Sequence, residues 1–170
     1  MAETNDSHRF DRLPATAADR TVAERPTRAE VLAFFADRFG IPSAVFADHS
    51  FWERGAGKIW ALAGEEPDPV EVEGLGMTVL RTRREHWKPT LEAAQRFGDA
   101  ATANVLHLGR PEARAFLAGH DQELAWDGDW GYLLVRHDLA GAPATLGVGL
   151  YLHGELRSQV PKGRQRDLGE

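Results

Sequence analysis

The chain has 170 residues, 42% of them hydrophobic, and no unbroken apolar stretch long enough to cross a bilayer, so a helical membrane protein is excluded and one domain or two small ones are expected. It contains no cysteine, which removes disulfides, thiolate zinc sites and cysteine nucleophiles together. With 26 acidic side chains against 20 Lys and Arg the formal charge is −6, so a general affinity for nucleic acid is excluded unless the bases are gathered locally.

Residues 1–27 show no hydrophobic periodicity and no apolar targeting segment, and they carry Glu3, Asp6, Asp11, Asp19 and Glu24; a disordered tail on a cytoplasmic protein is expected. Thr27-x-x-Glu30 has the form of a capping box. Val31, Phe35 and Phe39 then recur every four residues, with Leu32 and Phe34 widening the stripe until Gly40, which predicts a helix. Pro42 to Phe46 predicts a short helical turn, and Phe51-Trp52 and Lys58 to Leu62 predict two strands joined by Glu53 to Gly57. The acidic stretch Gly64 to Pro69 is expected to be a surface connection between two modules.

Val70 to Val72 and Met77 to Leu80 read as strands around Gly74-Leu-Gly76. A helix is predicted from Thr90 through Leu91, Ala94 and Phe97 to Gly98, a strand at Asn104 to Leu108, and a second short helix from Pro111 to Gly119 with Ala113, Phe116 and Leu117 inward. Gly131 to Arg136 suits a central strand. Leu146, Val148, Leu150 and Leu152 alternate with Gly147, Gly149, Tyr151 and His153, the period-two signature of a strand with one buried face. Helix, strands and a Gly-rich mixed sheet together predict an α+β protein, with a small α/β module at 28–73.

Catalytic patterns are weak. Gly55-Ala-Gly57-Lys58 echoes the end of a P-loop, but Trp52 stands where the first glycine is needed and Ile59 where the metal-binding hydroxyl is needed. Gly74-x-Gly76 and Gly147-x-Gly149 lack the third glycine of a dinucleotide fingerprint and suit a bulge or close strand packing. The seven histidines show no i, i+4 pair, and Asp121, Glu123, Asp127 and Asp129 lack the spacing of a cation loop. Ser158, Asp138 and either His137 or His153 form a triad only on paper, since no Gly-x-Ser-x-Gly elbow holds a serine. No catalytic residue, metal or cofactor is therefore expected.

The distribution of charge says more than its sum. Seventeen of the bases are Arg and three are Lys, and isoleucine occurs only at positions 41 and 59, a usage that resembles that of salt-loving archaea, where net negative charge reports the solvent. Two segments carry the positive excess: Arg81-Thr-Arg-Arg-Glu-His-Trp-Lys88, and Arg157 to Arg166, which holds four bases and no acid. Their plain reading is solvated loops paired with acidic neighbours such as Glu71 and Glu73. Their functional reading is phosphate contact by Arg81, Arg83, Arg84, Lys88, Arg157, Lys162, Arg164 and Arg166, because arginine binds phosphate bidentately and stacks on bases. Trp87 is open to either a stacking or a core role. The functional reading expects both segments to converge on one cationic cleft. A protein adaptor docking an acidic partner through the same loops is the alternative.

The order of motifs carries a resemblance. Gly74-Leu-Gly-Met-Thr-Val-Leu-Arg81, Lys88-Pro-Thr-Leu-Glu-Ala-Ala, Asn104-Val-Leu-His-Leu108, Ala115-Phe-Leu-Ala-Gly119, Gly131-Tyr-Leu-Leu-Val135, Leu146-Gly-Val-Gly149 and Val160-Pro-Lys-Gly163 resemble the C-terminal RNA-binding region of Sun-type rRNA cytosine-5 methyltransferases. The family's last motif usually continues Leu-Arg, where this chain has Arg164. The resemblance implies a PUA-like mixed β-sheet pseudo-barrel with short helices over 74–170, preceded by the module at 28–73, as in small stand-alone haloarchaeal proteins. It implies an RNA-binding protein of rRNA or tRNA modification or ribosome biogenesis, with structured RNA as partner and a modification enzyme or assembly factor beside it. Neither DNA nor membrane is expected. Cytosine-5 methylation needs a thiolate on C6 of the base, so a chain without cysteine is not expected to be that enzyme.

Overall fold

The computed structural model describes residues 9–64 and 74–166. The chain divides into two compact units, Met1–Lys88 and Pro89–Glu170. In the first, the strands are β1 (Phe10–Arg12), β2 (His49–Arg54), β3 (Lys58–Ala63), β4 (Met77–Arg81) and β5 (Lys88–Pro89), which lies at the division; helix α1 is Arg28–Phe39. They form one sheet in the order β1-β2-β3-β4-β5, antiparallel from β1 to β4.

The capping box and terminating glycine of α1 are formed. Thr27 Oγ1 accepts from the Glu30 amide at 3.0 Å, and Gly40 closes the helix in the left-handed region at φ 64°. Val31, Phe35 and Phe39 are buried, as are Ile41, Phe46, Phe51, Ile59, Val79 and Leu80. Because β4 pairs with β3, residues 77–88 belong to the first unit, whereas the sequence placed the boundary at Gly74. Val70 to Val72 and nearly all of the acidic connection lie outside the described residues.

The expected disordered tail is corrected within residues 9–27. β1 pairs with β2, the Leu13 amide donates to Phe51 O at 3.0 Å, and Leu13 and Val22 are buried. Arg25, only 6% exposed, donates through Nε to Glu53 Oε1 at 3.0 Å and through Nη2 to Asp11 Oδ2 at 3.2 Å, while Glu53 Oε2 accepts from the Gly57 amide at 3.2 Å. Charges expected in a solvated tail form a paired network, buried at Arg25 and Glu53 and half-buried at Asp11.

The second unit contains α2 (Leu91–Phe97), β6 (Val105–His107), α3 (Arg110–Leu117), β7 (Gln122–Glu123), β8 (Gly131–Leu139), β9 (Ala142–Leu152) and β10 (Glu155–Ser158). Its mixed sheet runs β6-β8-β9-β10-β7, with β6 parallel to β8 and the other pairs antiparallel. Thr90 caps α2, accepting from the Ala93 amide at 3.1 Å, as its position predicts. One core cluster joins Leu106, Leu108, Ala113, Phe116, Leu133, Val135, Tyr151, Leu156 and Val160; Leu117, expected inward, is half-buried at its edge.

β9 differs from a strand with a single buried face. Tyr151 shares with Gly147 and Gly149 the face that carries Leu133, Val135 and Leu156, and Val148 is buried on the other face with Leu134. A Cβ on Gly149 would stand 2.5 Å from Leu156 Cδ1, so the glycines are where neighbouring core side chains cross the strand. No helix among the described residues is long and apolar enough to cross a membrane.

Glu53→Gln removes the carboxylate charge that faces the buried Arg25. It should destabilise the protein by about 3 kcal/mol, the lower end for breaking a buried pair, as a drop in urea midpoint at unchanged m-value; an unchanged midpoint would contradict the network's role.

Candidate nucleic-acid interface

The first basic segment begins where β4 ends. Arg81 pairs in register with Lys58 on β3, and the Thr82 amide donates to Gly57 O at 2.9 Å. Gly57, at φ +84°, lets the β2–β3 turn sit against the segment: a Cβ there would lie 2.7 Å from Arg83 Cβ, so a side chain is refused by both backbone and neighbour. Arg81, Arg83, Arg84 and His86 are exposed, while Trp87 and Lys88 are half-buried. The Trp87 ring rests 5.8 Å from that of Phe34, which in turn meets Phe35 and Phe39 edge-on. Its role is thus tied to the aromatic stripe of α1.

Lys88 titrates below its ordinary value, first because it is partly buried and then because Arg81 and Arg84 stand near it. Like charges held together repel, and an anion bound among them relieves that repulsion. Among the described residues Arg81, Arg83 and Arg84 have no ion pair. Lys58 adds a further cation opposite Arg81. The sequence places Lys58 at the start of the strand that follows the Glu53–Gly57 turn, but its position opposite Arg81 follows only from the β3–β4 register.

The second segment leaves β10 and is fastened to its unit at three points. Val160 enters the core cluster, Gln165 Nε2 donates to Val160 O at 3.3 Å, and the Arg166 amide donates to Leu117 O at 2.8 Å. Between these anchors Lys162–Arg164 makes one 3-10 turn, and the side chains of Lys162, Arg164 and Arg166 are exposed. Arg157 lies earlier, on β10, on the face opposite the buried Leu156. It pairs with Glu155 at 2.8 Å, and Arg164 reaches Glu92 at 3.9 Å; both pairs are exposed on each side. Exposed pairs are worth about 0–1 kcal/mol, so a phosphate competes readily for these guanidiniums.

The structure thus brings Arg81, Arg84 and Lys88 together in the first unit, with Arg83 in the same segment, and Lys162, Arg164 and Arg166 on one turn in the second, with Arg157 on the strand before it. Residues 103–166, which run from the start of β6 past that turn, match the family described as the methyltransferase RsmF PUA domain. The C-terminal unit carries an RsmF-type PUA domain. That family match encloses the second basic segment. Residues 1–76 match a family of unknown function, DUF7122. The chain is also 26% identical over 113 residues to the ribosomal RNA small subunit methyltransferase F of Aeromonas salmonicida (strain A449), covering 65% of this chain and 23% of that protein. It is 26% identical over 98 residues to the protein of the same name from Aeromonas hydrophila subsp. hydrophila, covering 58% and 20%. The chain thus spans less than a quarter of the length of these curated relatives, and the RsmF-type domain implies RNA binding related to rRNA modification.

Removing the like charges beside Lys88 should raise its pKa. In Arg81→Ser/Arg84→Ser, NMR titration of the Lys88 ammonium should show an upward shift that stops short of the ordinary lysine value, since burial remains. No shift would mean that these cations do not share one field.

Proposed function

We propose that this chain binds structured RNA, rRNA or tRNA, in rRNA modification or ribosome biogenesis, and contributes recognition in place of catalysis. The observation that carries this reading is the position of the cationic turn Lys162–Arg164 inside the RsmF-type PUA match, anchored by its backbone and with its side chains exposed. Arg157, Lys162, Arg164 and Arg166 contact phosphates from this domain, and Arg81, Arg83, Arg84 and Lys88 do so from the N-terminal unit. The relatives are named as methyltransferases; these 170 residues hold no cysteine thiolate for attack on a pyrimidine, so their part is recognition, with a modification enzyme or assembly factor as partner.

Salt sets a demand on the contacts. At about 1 M salt the Debye length is about 3 Å, and the gain from counterion release is largely lost. Binding then depends on bidentate arginine, stacking and shape, and six of the eight proposed contacts are arginine.

Arg83→Glu combined with Lys162→Glu should weaken binding to a fluorescein-labelled RNA hairpin at least tenfold and lower the slope of log K against log salt by about two or more. Affinity within twofold of the parent would overturn the reading, and stoichiometric co-elution with an acidic protein after nuclease treatment would favour the adaptor instead.

A further inference from the structure

The two faces of the N-terminal sheet are chemically different. On the face that carries the core lie Asp11, Phe51, Glu53, Ile59, Ala61 and Leu80, so both carboxylates of these strands point that way and are consumed by Arg25. Strand alternation puts Phe10 and Arg12 of β1, Trp52 and Arg54 of β2, Lys58 and Trp60 of β3, and Arg81 of β4 on the other face. This gives three aromatic rings and four cations, with no carboxylate among the strand residues of that face.

The arrangement is ordered in rows. Arg12, Trp52, Trp60 and Thr78 are successive cross-strand partners, while Arg54 is paired with Phe10 and Lys58 with Arg81. The Arg54 guanidinium lies 5.4 Å from the Phe10 ring centre, the Lys58 ammonium 4.9 Å from that of Trp60, and the Phe10 and Trp60 rings meet edge-on at 5.3 Å. Phe10, Trp52 and Trp60 remain half-buried where a sheet packed on both sides would bury them fully.

We propose that this outer face is a stacking platform for unpaired nucleotides, an inference that rests on the reading of the chain as RNA-binding. Rings take the faces of bases and the interleaved cations take the phosphates between them, a combination that single-stranded nucleic acid matches in both charge and π-surface. A fully paired duplex hides its base faces and cannot use the rings. Arg81 belongs to both the platform and the first basic segment, so the face continues into the cation cluster of Lys58, Arg81, Arg84 and Lys88. The platform selects single-stranded segments flanking the structured RNA.

The test compares a labelled 12-nucleotide uridine RNA with a fully paired hairpin by fluorescence anisotropy. Arg12→Ser/Trp52→Leu, shown to be folded by circular dichroism, should bind the single strand about tenfold or more weakly and the hairpin within twofold of the parent. Ultraviolet crosslinking of the unsubstituted protein to the same single strand should place adducts on peptides containing Phe10, Trp52 or Trp60, which keeps the proposal testable should the variant fail to fold. Single-strand affinity within twofold of the parent, or adducts confined to other peptides, would overturn it. Binding of the hairpin but not the single strand by the parent defeats the platform and leaves the proposed function standing; binding of neither defeats both.

Discussion

An acidic chain can hold a polyanion only by sorting its charges, and the structure depends on that constraint. With 26 carboxylates against 20 Lys and Arg, an even distribution would repel phosphate everywhere. In the N-terminal unit the sorting is done by the pleat: the strand carboxylates Asp11 and Glu53 turn inward onto Arg25, while Arg12, Arg54, Lys58 and Arg81 turn outward. In the C-terminal unit it is done by the chain's course, since the last ten described residues hold four bases and no acid.

The same contacts that sort the charge also hold it in place. Glu53 binds Arg25 and the Gly57 amide, so the inward carboxylate fixes the turn on which Lys58 begins and against which Arg83 rests. Val160, Gln165 and the Arg166 backbone do the equivalent for Lys162–Arg164. In the proposed binding mode, fixed backbone with exposed cationic side chains lowers the ordering cost of meeting phosphates.

Elements specified locally were legible in the sequence. The Thr27 capping box, the four-residue stripe and Gly40 bounded α1, and the alternation in 146–152 gave β9, because caps and periodicity act over a few residues. What was missed depends on partners distant in sequence. Residues 9–27 hold only isolated apolar anchors and charges, and Arg25 reveals itself as buried, with Asp11 as its partner, only once Glu53 is placed beside them. The Gly147 and Gly149 face of β9 covers the core because Leu156 and Val135 lean across it, which hydropathy of the strand alone cannot register. The basic segments were visible as composition, but the partnership of Lys58 with Arg81 required strand register, and Trp87 required Phe34.

Recognition of RNA by cationic segments on a PUA-bearing acidic chain is tested most directly by ultraviolet crosslinking in cells at their native salt, with sequencing of the bound RNA and mass spectrometry of the adduct peptides. Fragments of rRNA or tRNA attached to peptides from 81–88 and 157–166 are the predicted result. RNA recovery no greater than in uncrosslinked cells, or adducts in neither segment, would contradict it.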